Sequence, residues 1–248
     1  MVEELGRPLT SQWIEPVDNT ANDPASSPDP EDAAAEDFPE PTGELVQPII
    51  LLVDREEPCA EDEGIAAAAL ASVNALLANP RHPYWRPWAQ GAFAKSVRRA
   101  DAKMFAKVAG EFPEHVLAKV GSAQAMGFAP MQAASLPKRL AKLQVSGTTL
   151  PPGEPMESTT VRIALHDSLG MSTGKAAAQA AHALFAWVLE GNPAELDAWR
   201  ASGCPLSIQR LDSTAFRKNA RTASGPVIHD AGRTEITPGS ATAFVSVG

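Results

Sequence analysis

Lys175, Gln179 and His182 stand at i, i+4 and i+7 in Gly170-Met-Ser-Thr-Gly-Lys-Ala-Ala-Ala-Gln-Ala-Ala-His182. That spacing puts an ammonium, an amide and an imidazole on one face of a helix formed there. Asp230-Ala-Gly-Arg-Thr-Glu-Ile-Thr-Pro-Gly-Ser-Ala-Thr242 adds a carboxylate at Asp230, a guanidinium at Arg233 and hydroxyls at Thr234 and Thr242. A cation, a carboxylate and hydroxyls together are suited to polarising water and stabilising an oxyanion. Lys175 is expected in the first helical turn, where the helix dipole opposes a cation. An anion held between the helix start and Lys175 would account for the placement.

The elements that must position these groups follow from composition. Ser172 or Thr173 can cap a helix, Gly174 permits a tight turn, and the Ala-rich run predicts a helix to about Glu190. Asp230 follows the apolar Val227-Ile228, at the end of a predicted strand, where loops of open α/β sheets gather ligands. His182, among alanines and leucine, reads first as a core or interface histidine. The loop is not a Walker A motif, because three residues separate Gly170 from Gly174 and Ala176 stands where a magnesium-holding hydroxyl is needed. Two His-Asp pairs, His166-Asp167 and His229-Asp230, could share a metal only if their strands were neighbours. A triad of Ser172, His182 and Asp230 lacks a nucleophile-elbow motif. No metal and no cofactor is expected.

Gly-Lys-x-x-x-Gln-x-x-His followed by Asp-Ala-Gly-Arg-Thr resembles the type 2 peptidyl-tRNA hydrolase family, over about ninety residues from near Thr159 to Gly248. The resemblance implies an α/β fold with a small mixed four-stranded sheet and helices on both faces. It implies hydrolysis of the ester joining a peptide to the 3′ ribose of tRNA. Lys175, Asp230, Thr234 and Thr242 would be catalytic, and Gly174, Gln179, Arg233 and His182 would bind substrate. Thr173 stands where the family usually carries a second basic residue. The alternatives are a non-catalytic RNA- or protein-binding module on the same fold, or a hydrolase of another aminoacyl or peptidyl ester.

The chain has 248 residues and a formal net charge of −9, unevenly spread. Residues 1–45 hold Arg7 and twelve acids, residues 46–157 twelve basic and eleven acidic groups, and residues 158–248 eight and seven. An acidic, Pro- and Ser-rich stretch buries too little apolar surface to offset chain entropy, so residues 1–45 are expected to be a disordered tail, with Trp13-Ile14 a possible docking element for a protein partner. The start has no basic segment followed by an apolar one, and no stretch is apolar enough to span a bilayer, so a cytoplasmic protein is expected. Cys59 and Cys204 are read as free thiols.

An internal repeat orders the rest. Ser96-Val-Arg-Arg-Ala-Asp-Ala-Lys-Met-Phe-Ala-Lys107 aligns with Ser207-Ile-Gln-Arg-Leu-Asp-Ser-Thr-Ala-Phe-Arg-Lys218, sharing Ser, Arg, Asp, Phe and Lys. Two tandem α/β units are therefore expected, a degenerate one at 46–150 and a catalytic one at 158–248, forming an intrachain pseudo-dimer. The second should run strand 160–166, helix 175–190, helix 193–201, strand 206–210, helix 213–222, strand 226–230 and strand 241–247, and Asp101 and Asp212 should cap equivalent helices. In the first, a strand is expected at 49–53 and a helix at 65–77. Aligning Gly64 with Gly174 sets Ile65 opposite Lys175, and Lys119 falls opposite Asp230, so the first unit would lack the chemistry. Arg98, Arg99, Lys103 and Lys107 read as a solvated helix face that could still touch phosphate. The aromatics of Arg81-His-Pro-Tyr-Trp-Arg-Pro-Trp88 could stack on bases or grip a partner, and read first as a seal between units.

Overall fold

The computed structural model describes residues 41–231 and 236–248. The acidic segment up to residue 40, and Arg233 and Thr234 of the candidate site, lie outside the described residues.

Alternation sets the faces of the first sheet. In β1 (Leu45–Leu52), Ile49 and Leu51 belong to one apolar cluster and Ile50 to another, as a strand buried on both sides requires. The sheet has the order β2-β1-β4-β3, from β2 (Ala94–Ala100), β3 (Val116–Val120) and β4 (Ala123–Gly127). β1 pairs parallel with β2 and antiparallel with β4. A short β5 (Met131–Gln132) also pairs with β1, so this sheet has five strands where four were expected. The strand also opens at Leu45 rather than Ile49, because Leu45 and Val46 pair with β5.

α1 (Glu61–Ala78) is buried on nearly every side from Gly64 to Leu76, the mark of a helix enclosed by other elements. It starts at Glu61 rather than Ile65. α2 (Trp85–Gln90) follows, then α3 (Ala102–Glu111), whose N-cap Asp101 accepts from Met104 N at 2.7 Å. α3 and the single turn α4 (Lys138–Ala141) cover the face of the sheet opposite α1, sharing a core of Ile50, Phe105, Val108, Met126, Phe128 and Leu140.

The second unit repeats this plan. β6 (Val161–His166), β7 (Ser207–Leu211), β8 (Ile228–His229) and β9 (Ala241–Val247) form a sheet of order β7-β6-β9-β8, with β6 parallel to β7 and antiparallel to β9. α5 (Thr173–Glu190) and α6 (Pro193–Ala201) lie between β6 and β7 in the chain. α7 (Ser213–Asn219) is capped by Asp212, whose Oδ1 accepts from Thr214 N and Ala215 N at 2.8 Å each. These bounds lie within a few residues of those expected from sequence.

α1 packs along α5, α5 reaches β2, and α1 reaches β7. Ile49, Leu51, Ile163, Leu165, Ala243 and Val245 thus share one core with both helices. Trp85 and Trp88 press on Phe185 of α5, with ring centroids 5.6 and 4.9 Å apart, which places the aromatic cluster between the units. Lys95 is enclosed there too. Its Nζ lies 4.1, 4.5 and 4.0 Å from the ring centroids of Trp88, Phe93 and Phe185 and donates to Gln47 Oε1 at 2.9 Å. Burial pushes its ammonium well below the ordinary lysine range, while the three ring faces favour the charged form.

Among the described residues no helix is long and apolar enough to cross a membrane. Cys59 and Cys204 are free thiols, and burial pushes both up.

Candidate functional site

The site forms where α5 begins and β8 ends. Gly170, at φ +58°, closes the turn after β6, a backbone state glycine adopts without strain. Ser172 is then the N-cap, its hydroxyl accepting from Lys175 N at 3.4 Å. Gly174 is not the turn glycine expected from sequence, since it lies inside the helix. A Cβ there would make ordinary contact, 3.4 Å from Thr148 Cβ and 3.5 Å from the Val145 carbonyl oxygen. The segment leaving the first unit therefore lies over the start of α5. Thr173 joins it, accepting from Leu150 N at 3.2 Å and donating to Glu61 Oε1 of α1 at 2.6 Å.

Lys175 pairs with Asp230, their side chains 11% and 3% exposed. The carboxylate that offsets the unfavourable dipole at Lys175 thus comes from the protein itself. Gln179 Nε2 donates to the same oxygen, Asp230 Oδ1, at 3.1 Å. Thr242 Oγ1 lies 2.7 Å from Gln179 Oε1 and 3.1 Å from the Ile228 carbonyl oxygen, with one hydrogen to give between them, and the acceptor Asp230 Oδ1 turns Nε2 to its side and so leaves Oε1 facing Thr242. A β-bulge gives Thr242 this position, because Ile228 pairs with Ala243 while His229 pairs with Ala241. Asp230 N and O both bond the hairpin, to Ser240 O at 2.9 Å and Gly239 N at 2.8 Å. Lys175, Gln179, Asp230 and Thr242 therefore form one hydrogen-bonded group, built by one helix and two strand ends.

His182 does not join it. Its ring lies 5.2 Å from Phe93 of the first unit, and its imidazole is held well below its usual range by burial first, then by the charges of Lys95 and Lys175. His166 bonds the Ala241 carbonyl and Ser213, and Asp167 pairs with Arg210. β9 separates β6 from β8, so the two His-Asp pairs lie on non-adjacent strands. Among the described residues no group of three His, Cys, Asp or Glu side chains is placed to hold a metal ion.

A cation and a carboxylate locked together by an amide and a hydroxyl, at the end of a sheet with a parallel pair, now stand beside the motif order of the sequence. Residues 159–247 match the family peptidyl-tRNA hydrolase PTH2. No curated protein matches the chain. The match to the peptidyl-tRNA hydrolase family spans the second unit and its whole hydrogen-bonded group, and leaves the first unit outside.

Counting along the elements sets other residues of the first unit against the site than the sequence alignment does. α1 and α5 each have 18 residues, so counting from their first residues sets Glu63, not Ile65, opposite Lys175. Glu63 behaves accordingly, accepting from Ser122 N at 3.1 Å and Ser122 Oγ at 2.9 Å in the β3–β4 turn. Val120 opposes Ala123 and His229 opposes Ala241, and counting from these pairs sets Gly121, rather than Lys119, against Asp230. The alanines of α1 and α5 allow several registers between the two units. Sequence reading also missed the linker over α5 and the Lys95 enclosure, since both depend on contacts between distant segments.

Proposed function

We propose that the protein is a peptidyl-tRNA hydrolase, acting in the cytoplasm, whose second unit cleaves the ester between a peptide and the 3′ ribose of tRNA. The observation that carries the reading is the buried Lys175–Asp230 pair within a peptidyl-tRNA hydrolase match. Asp230 accepts from Lys175 and Gln179 on Oδ1, which holds the carboxylate in one orientation, so its task is to orient the attacking water more than to take its proton. Lys175 supplies positive charge for the tetrahedral oxyanion or the terminal phosphate. Gln179 holds the carboxylate, and Thr242 is a positioning residue acting through Gln179. Arg233 and Thr234 follow Asp230 after Ala231 and Gly232 and complete the motif as a phosphate-binding cation and a hydroxyl.

Internal duplication explains the shared strand order of the two sheets, and the first unit, with glutamate for the cation and glycine for the carboxylate, is read as non-catalytic. The test is release of peptide from peptidyl-tRNA by the purified protein, without added metal, beside Asp230→Asn and Lys175→Ala with folding verified by circular dichroism. Activity in the intact protein that both variants lose supports the assignment. A folded intact protein that releases no peptide at low salt sinks it.

A further inference from the structure

The near-neutral count of the first unit conceals a separation that the fold makes visible. Residues 94–147 hold nine basic groups against Asp101, Glu111 and Glu114. Asp101 caps α3 and Glu111 is paired with Arg139. Glu61, Asp62 and Glu63, by contrast, gather at the start of α1 on the opposite side of the sheet.

Packing assembles those cations other than the enclosed Lys95 and Lys119 of β3 into one surface. Arg98 and Arg99 lie in β2, not on a helix face as expected. Arg98 Nη1 donates to the carbonyls of Leu140, Ala141 and Leu143 at 3.2, 3.2 and 3.0 Å, holding α4 against the sheet. Arg99 bonds Gln144 and the Gly147 carbonyl, holding the segment that follows. Arg139 ties α4 to α3, pairing with Glu111 and lying 4.0 Å from Met104 Sδ. Lys103 and Lys107 on α3, and Lys138 with Lys142 at the end of α4, are each spaced i, i+4 and are exposed. None of the four has a carboxylate partner within ion-pair distance among the described residues.

The surface also continues to the catalytic group. Only Leu143 and Gln144 separate Lys142 from Val145, a span of at most about 11 Å of chain. The Val145 carbonyl lies against Gly174, the neighbour of Lys175. A phosphate chain whose 3′ end reaches Lys175 would pass along this segment onto α4 and α3.

We propose that the α3–α4 face of the first unit, carried by Lys103, Lys107, Lys138 and Lys142, is a docking surface for the phosphate backbone of the tRNA body. The inference rests on the proposed substrate, and it gives the non-catalytic unit a role in holding that substrate. Phosphate contacts of this kind position RNA without reading its sequence, and each shows in the salt dependence of binding.

The test is binding of deacylated tRNA to the full chain across a salt series, which requires no hydrolysis and so separates this inference from the catalytic reading. Changing all four lysines to alanine should weaken binding at least about tenfold at low salt and reduce the salt slope by about 2 to 3. The two paired replacements, Lys103→Ala with Lys107→Ala and Lys138→Ala with Lys142→Ala, should each give part of that loss. A control with Arg55, Arg81, Arg86 and Lys119 changed to alanine removes equal charge elsewhere and should change the slope by less than 1. Equal losses in both quadruple variants, or no change in the first, would overturn the proposal. An unchanged slope with chemical cross-links from these lysines to residues 1–44 would assign the face to the chain's own acidic segment, and would overturn it equally.

Discussion

Asp230 Oδ1 accepts from Lys175 and Gln179 in a nearly buried setting, so neither charge can be removed without stranding the other. Asp230→Asn or Lys175→Met alone should each cost about 3 kcal/mol or more of stability by urea titration, and the double variant should cost clearly less than their sum. Additive losses would mean that the pair is not formed in solution. Gln179→Ala should lower kcat at least about tenfold with a smaller effect on KM, because it frees the carboxylate that orients the water; a change in KM alone would contradict that role. His182 sets a pH limit. Burial and the Lys95 and Lys175 charges hold the folded imidazole below its ordinary range, whereas the unfolded chain takes up the proton near pH 6.5, at about the unperturbed value. The stability this group permits is therefore full above about pH 6.5 and falls as pH drops below it. His182→Gln should narrow the difference in urea midpoint between pH 7.5 and 5.0, and an unchanged difference would locate the acid sensitivity elsewhere.

Helix ends and close contacts decide the elements. Asp101 and Asp212 were legible as caps because each precedes an apolar-periodic run, and the side chains do bond the free N–H groups. Asp212→Ala should lower the midpoint of thermal melting, because two N–H groups of the first turn lose their acceptor. Strand edges were legible to within a few residues in the second unit, where alternation and turn residues bound each run. The start of α1 was not, because Glu61, Asp62 and Glu63 carry no apolar periodicity, although acids favour a first turn. Gly127 carries a contact that sequence does not announce: a Cβ there would meet the Ala71 carbonyl oxygen at 1.8 Å. Gly127→Ala should therefore destabilise the first unit by about 2 kcal/mol or more, since backbone must move; a melt within a degree of the parent would refute this account of α1 against β4.

At the scale of the molecule, α5 is apolar on almost all sides because two sheets and α1 surround it. Residues 158–248 made alone would expose the side of α5 that α1, Trp85 and Trp88 cover. They should self-associate or aggregate, read by light scattering after size exclusion, and a monodisperse monomer with native circular dichroism would show that the units are separable. Arg210 adds a polar tie across the same junction, bonding Glu61 and Asp62 at 2.7 and 2.8 Å. The first unit thus completes the core on which the helix carrying Lys175 and Gln179 rests, besides presenting its own basic face.

The caps, the helix carrying Lys175 and Gln179, the strand before Asp230 and the plan of two similar units follow from local sequence, because spacing and capping act over a few residues. The pairing of Lys175 with Asp230, the role of Thr242 behind Gln179, the register of one unit on the other and the assembly of the cations on α3 and α4 were decided only in three dimensions. Each depends on which strand lies beside which, on one bulge, or on how two Ala-rich helices settle lengthwise. Alanine presents nearly the same surface at every register, so it is the surrounding sheets and the linker over α5 that select one.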